Sequence, residues 1–192
     1  MFRSSDRRGF FGAGLAIAAA FLGRGRAFSA GASTALGQSA ESRLGELGLT
    51  LPAPPAPIAT YVRAVKVGSL LFVSGHGPAD APDGKSYAGK VGRDLTLEEG
   101  RAAARLVGLN VLASVRSTLG SLDRVARVVK VLGMVNATED FTQQPQVVNG
   151  FSDLMVEIFG EERGKGARSA VGMGSLPNNI PVEVEAIFEV EG

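Results

Sequence analysis

The spacing of hydrophobic positions along this chain changes several times, and each change marks an element. Near the C-terminus the run Val182-Glu183-Val184-Glu185-Ala186-Ile187-Phe188-Glu189-Val190 opens in strict alternation. Successive side chains of a strand point to opposite faces, so Val182, Val184 and Ala186 share one face, and Glu183 and Glu185 the other. A shorter extended run over 168–172 precedes it, and Leu176-Pro177-Asn178-Asn179 supplies turn formers between the two. This spacing predicts a hairpin-like return that brings Arg168 and a glutamate into one neighbourhood. Residues 125–135 (VARVVKVLGMV) are nearly continuously apolar and β-branched, which predicts a strand covered on both faces. Residues 61–67 and 69–74 predict two more strands joined by a tight turn at Gly68-Ser69.

Helical spacing appears twice between these strands. From Thr96 to about Leu119, Ala103, Leu106, Val107, Asn110, Ala113 and Ser114 recur along one stripe. Glu99 lies three residues after Thr96 and completes a capping box. The small residues in the middle of this helix allow close approach to a sheet. A second long helix opens at Pro145, runs through Val147, Phe151, Leu154, Met155 and Ile158, and ends at Gly160. A short helix is expected over 41–47, and 75–94 reads as a glycine-rich loop. The order β-β-α-β-α-β-β predicts an α+β fold, a mixed sheet with two helices on one face.

The first part of the chain has a different character. Arg3, Arg7 and Arg8 precede an apolar run over 10–22 that falls short of the roughly 20 residues a membrane span needs. Residues 1–32 therefore read as a signal peptide, with small residues around Ala30 offering cleavage. Asp6-Arg7-Arg8-Gly9-Phe10-Phe11 resembles the twin-arginine motif, which implies export of the folded protein to the periplasm and no membrane span in the mature form. Residues 33–60 turn small, polar and then proline-rich, an extended lead-in to a domain over 61–192.

Composition narrows the chemistry. The 192 residues suit a single domain, and 45% hydrophobic with 20% charged residues is a globular balance. A net charge of +1 gives no electrostatic footprint for nucleic acid. There is no cysteine and one histidine, His76, so disulfides, thiol catalysis, thiolate metal sites and multi-histidine centres are excluded. On the residues alone, Arg168 reads as a solvated or ion-paired arginine, and Glu183 and Glu185 as solubilising charges on a strand face.

A resemblance gives these residues a role. Arg168-Ser169, then Leu176-Pro177, then Val182-Glu183-Val184-Glu185-Ala186 is similar to the C-terminal signature of the RidA/YjgF family. These are the reactive-intermediate deaminases, also called the L-PSP endoribonuclease family. Tyr61-Val62, Phe72-Val73-Ser74-Gly75 and Val147-Val148-Asn149-Gly150-Phe151 extend the likeness, in the family's order, over roughly 41–190. It implies a chorismate-mutase-like fold and a homotrimer with sites between subunits. It also implies hydrolysis of small 2-imino or 2-enamino acids to 2-keto acids and ammonia, with no cofactor because an imine is already electrophilic. Arg168 would hold the substrate carboxylate bidentately. Glu183 would orient or deprotonate water, and Tyr61, Ser74 and Gly75 would line the pocket. Glu185 stays structural, Asn149 matches a helix asparagine near the site, and His76 stands where the family often has Gln. Gly166 and Gly172 depart from the better-known members, as does the long 75–94 loop. Two other readings are a non-catalytic trimer that binds small carboxylates and, against the near-neutral charge, an endoribonuclease.

Overall fold

The computed structural model describes residues 38–192, so the signal expected over 1–32 lies outside the described residues. Its elements are α1 (Ala40–Glu46), β1 (Ala64–Val67), β2 (Leu70–His76), α2 (Leu97–Leu119), β3 (Val125–Asn136), α3 (Gln144–Phe159), α4 (Glu161–Gly164), β4 (Ala167–Met173) and β5 (Val182–Val190). The five strands form one mixed sheet in the order β1-β2-β5-β3-β4. Every pairing is antiparallel except that of β3 with β4. α3 and α4 connect that parallel pair, as a crossover must.

Local chemistry sets the helix limits. The Thr96 side chain accepts from the Glu99 amide, and the Glu99 carboxylate accepts from the Thr96 amide at 2.9 Å, so the capping box closes α2 at its start. Gly120 ends it in the left-handed conformation. Pro145 sits in the first turn of α3, and Gly160 follows its last residue. The small stripe on α2 serves a helix as much as the sheet. A Cβ on Gly150 of α3 would overlap the Arg101 carbonyl of α2, so the two helices touch backbone to backbone there.

Both long helices cover one face of the sheet. Val182, Val184, Ala186, Phe188 and Val190 of β5 turn into that layer, against Val107, Val111 and Val115 of α2 and Phe151, Leu154 and Ile158 of α3, all buried. Truncating a fully buried side chain such as Phe188 to alanine would cost about 3–5 kcal/mol. Ala40, Leu44 and Leu51 join the same core, so the lead-in segment packs with the domain it precedes.

Two expectations are corrected by the topology. The runs 168–172 and 182–190 do not form a hairpin, because β3 lies between β4 and β5 and pairs with both. The interior strand β3, with hydrogen bonds to offer on both edges, outcompetes the short sequence separation. β3 is also not covered on both faces by its own chain. Val125, Val128, Val131 and Val135 are buried under the helices, whereas Lys130, Leu132 and Met134 are only half-buried on the open face. Phe72, Val65, Val171 and Met173 are exposed around them.

The long loop is tied down at one point that matters for the site. Lys90 donates from Nζ to Asn136 Oδ1 (3.0 Å) and to the Gly174 carbonyl (2.6 Å). The buried Asn136 donates in turn to the Ile180 carbonyl at 3.3 Å. These bonds fix the turn between β4 and β5, where Asn178 and Asn179 adopt positive φ. Asparagine tolerates that geometry better than other non-glycine residues.

Candidate functional site

The residues singled out in the sequence fall into two clusters. The first gathers where β2 ends beside β5. Between Val73 and His76 the register slips by one residue, a β-bulge at Ser74-Gly75. Ser74 is held there on every side. Its amide and hydroxyl donate to the Arg63 carbonyl at 2.9 and 3.1 Å, and its own carbonyl accepts from His76 Nδ1 at 2.7 Å.

The bulge carries Gly75 against Glu183. A Cβ at residue 75 would overlap Glu183 Oε1 and come within 2.9 Å of its Cδ, so only glycine leaves room for this carboxylate. Glu183 is half-buried, and its carboxyl is pushed above the usual range, first by burial and then by the charge of Glu185. Tyr61, Ser74, Gly75, His76 and Glu183 share the lining of one cavity of about 640 Å³. The structure thus brings together four of the expected pocket residues, Tyr61, Ser74, Gly75 and Glu183. Glu185 lines a different depression, of about 480 Å³, on the open face of the sheet beside Phe72 and Lys130.

His76 is not an incidental loop residue. It ends β2, is 5% exposed, and bonds through both ring nitrogens. A carbonyl can only accept, so Nδ1 carries the hydrogen given to Ser74, and Nε2 accepts from the Ser114 hydroxyl of α2 at 2.8 Å. Burial, aided by the nearby Arg63 charge, holds its pKa below the ordinary value and keeps the ring neutral. The helical spacing that put Asn110 and Ser114 on one stripe carried the signal for this contact. Asn110 Nδ2 donates to the Gly77 carbonyl at 3.0 Å, one turn before Ser114.

The second cluster surrounds Arg168. This residue lies opposite Val131 of β3, which in turn pairs with Ala186 of β5, and both neighbours face the helices. Arg168 donates from Nη1 to Asn149 Oδ1 (2.9 Å) and to Ser152 Oγ (3.1 Å), both on α3. Ser152 escaped the sequence reading, although its spacing of three from Asn149 places it on the same helix face. Arg168, Ser152 and Lys165 line a smaller cavity of about 230 Å³.

The clusters are separated by the sheet itself. Glu183 pairs with Met134, whose side chain is on the open face, whereas Arg168 turns to the helical face. A single chain therefore does not bring Arg168 and Glu183 into one pocket. Among the described residues, no three histidine, aspartate or glutamate side chains converge as metal ligands, and no helix is long and apolar enough to cross a membrane.

Known proteins resemble the chain over this whole region. Residues 41–186 match the family described as "YjgF/chorismate_mutase-like, putative endoribonuclease". The chain is 46% identical over 149 residues to Protein TCP17 of Trypanosoma cruzi, covering 78% of this chain and 92% of that protein. It is 29% identical over 143 residues to a 2-iminobutanoate/2-iminopropanoate deaminase of Dermatophagoides farinae, covering 74% and 95%. Among solved structures it is similar to an endoribonuclease-like protein of Shewanella oneidensis, with 35% identity, a TM-score of 0.74, and coverage of 80% of this chain and all of that one.

Proposed function

Because the chain belongs to the YjgF/chorismate mutase-like family, which includes imine deaminases, we propose that it hydrolyses 2-imino acids to 2-keto acids and ammonia in sites shared between subunits of a homotrimer. The observation that carries this reading is the placement of Glu183. It is a half-buried carboxylate with a raised pKa, fitted against the backbone of Gly75 in a cavity large enough for a small molecule. A carboxylate tuned upward from the ordinary range is a better general base near neutral pH.

Arg168 supplies the other half. Asn149 and Ser152 hold one of its terminal nitrogens, and among the described residues its Nη2 and Nε have no side-chain or backbone acceptor. A guanidinium anchored at one corner keeps a fork for a carboxylate. Since Arg168 and Glu183 belong to opposite faces, a complete site takes Arg168 from one copy and Glu183 from its neighbour. The open sheet face supports such an assembly, because Phe72, Val65, Val171 and Met173 stay exposed there in the single chain.

In this reaction the substrate carboxylate pairs with Arg168, and a water lies between Glu183 and the imine carbon. Glu183 accepts a proton as the water oxygen bonds to that carbon, and the C=N π electrons move to nitrogen. Glu183 returns this proton to nitrogen, giving the neutral carbinolamine. It then takes the hydroxyl proton and passes it to the amino group, so the C–N bond breaks as the C=O bond forms and ammonia leaves. The carbonyl remains on the keto acid. A net charge of +1 gives no electrostatic footprint for RNA, which favours the small-molecule reading.

Mixing two inactive variants tests the reading. Arg168→Ala and Glu183→Gln should each lose turnover. Refolded together at equal amounts, they should regain about a quarter of wild-type activity, since random assembly pairs an intact Arg168 with an intact Glu183 at that frequency. Absence of recovery in mixed trimers, or a monomer in light scattering, would remove the shared site. A wild-type protein that binds keto acids but turns over no imine would instead favour a binding trimer.

A further inference from the structure

The cavity beside Glu183 has walls of uneven chemistry. Several of its polar side chains are committed within the protein. Ser74 Oγ donates to the Arg63 carbonyl, His76 bonds to Ser74 and Ser114, and Asn110 donates to the Gly77 carbonyl. Arg63 turns Nη1 to the carbonyls of Pro54 and Pro55, while its Nη2 and Nε and the Asn178 side chain have no partner among the described residues. A polar ligand group buried against Ser74 and His76 would lose water and gain little in return.

The remaining walls are apolar. The proline-rich strap before β1 contributes Ile58 and Ala59, and the strand lead-in contributes Tyr61. The turn between β4 and β5 contributes Pro177 and Ile180. Ile58 is 78% and Tyr61 43% exposed, so apolar surface stands uncovered along this side. Both walls are held in place. Arg63 clamps the strap through Pro54 and Pro55, the Tyr61 amide donates to the Ala59 carbonyl at 2.9 Å, and Asn136 holds Ile180. In the single chain the cavity measures about 640 Å³, within the range that drug-sized ligands occupy, roughly 300–1,000 Å³.

From the fixed apolar walls we infer that this chain acts on 2-imino acids with a large apolar side chain, branched aliphatic or aromatic. This rests on the hydrolase reading above for the reacting centre. The reacting C=N carbon lies at the Glu183 end, and the side chain extends between the strap and the 177–180 turn. A methyl group leaves the walls unfilled. Each methylene buried in such a pocket is worth about tenfold or more in kcat/KM.

The test uses the full-length protein and imino acids generated in situ from leucine, phenylalanine, alanine and glutamate. The leucine and phenylalanine derivatives should show kcat/KM at least about tenfold above the alanine derivative. Preference for the alanine or the glutamate derivative overturns the inference while leaving the hydrolase reading intact. Turnover of none of them removes the hydrolase reading, and a binding measurement then decides this one. In calorimetry, 4-methyl-2-oxopentanoate should bind at least about tenfold tighter than pyruvate. Equal affinities, or binding of neither, overturn it. Ala59→Trp places bulk on the exposed strap, away from the core, and should lower the leucine-to-alanine kcat/KM ratio by about tenfold. An unchanged ratio in that variant also counts against the assignment of the strap as a wall.

Discussion

Gly75 and Glu183 are fitted to one another: the space a side chain would take at residue 75 is filled by the Glu183 carboxylate. The bulge in β2 creates this contact, and the bonds that Ser74 donates to the Arg63 carbonyl and accepts from His76 hold the bulge in place. A Gly75→Ala substitution must therefore move either the strand or the carboxylate. The overpacking should cost about 1–3 kcal/mol in a denaturant or thermal melt. Displacing Glu183 by about an ångström should lower kcat on the order of a hundredfold. Turnover within twofold of wild type would break the link between this contact and catalysis.

Glu183 also makes a prediction about stability. Burial and Glu185 raise its folded-state pKa above the unfolded value of 4.5. The folded state then binds more protons than the unfolded one, so this group favours folding below about pH 4.5 and loses that contribution as pH rises through the folded pKa. Glu183→Gln removes the ionisation. It should raise the Tm at pH 7 relative to wild type, with little difference at pH 4, while turnover falls. Thermal melts across that pH range read the crossover, and a Tm that drops equally at both values contradicts the sign.

His76 provides a test of positioning without touching substrate. Its folded pKa is lowered mainly by burial, so the unfolded chain binds the proton more readily. Its contribution to stability is present above the unfolded pKa of 6.5 and is lost as pH falls through the folded value. Gln can donate to Ser74 and accept from Ser114 as the ring does, whereas Leu can do neither. His76→Gln should keep most of kcat, and His76→Leu should leave Ser74 and Ser114 unpaired at a cost of about 1–3 kcal/mol each, with kcat lowered. Imidazole nitrogen shifts in NMR should report the Nδ1–H tautomer. The Nε2–H form, or equal kcat in both variants, would falsify this role.

We propose that Arg7-Arg8 directs export through the twin-arginine route. The double substitution Arg7→Lys with Arg8→Lys keeps both charges but removes the guanidinium pair, and it should leave precursor in the cytoplasm, visible by fractionation and blotting. Undiminished export of that variant would assign the segment to another pathway.

The local sequence was enough for most of the fold. Thr96 with Glu99 announced the start of α2, Pro145 and Gly160 bracketed α3, and the alternation from Val182 told which side of β5 meets the helices. These signals act over a few residues, through capping bonds and side-chain periodicity, and so can be read without knowing the neighbours. α4 was missed because its four residues carry no apolar period.

The arrangement of the site was decided in three dimensions. That β3 would separate β4 from β5 depends on which strand edges remain free when the sheet assembles, a competition that no local motif encodes. As a result Arg168 and Glu183, fifteen residues apart, are assigned to opposite faces. The neutrality of His76 likewise follows from burial under Ser114, thirty-eight residues away, rather than from its glycine-rich surroundings in the sequence. The sequence determined which residues carry chemistry and the local elements that bear them. Tertiary structure decided which of them meet, because strand pairing and burial are settled by the whole chain at once.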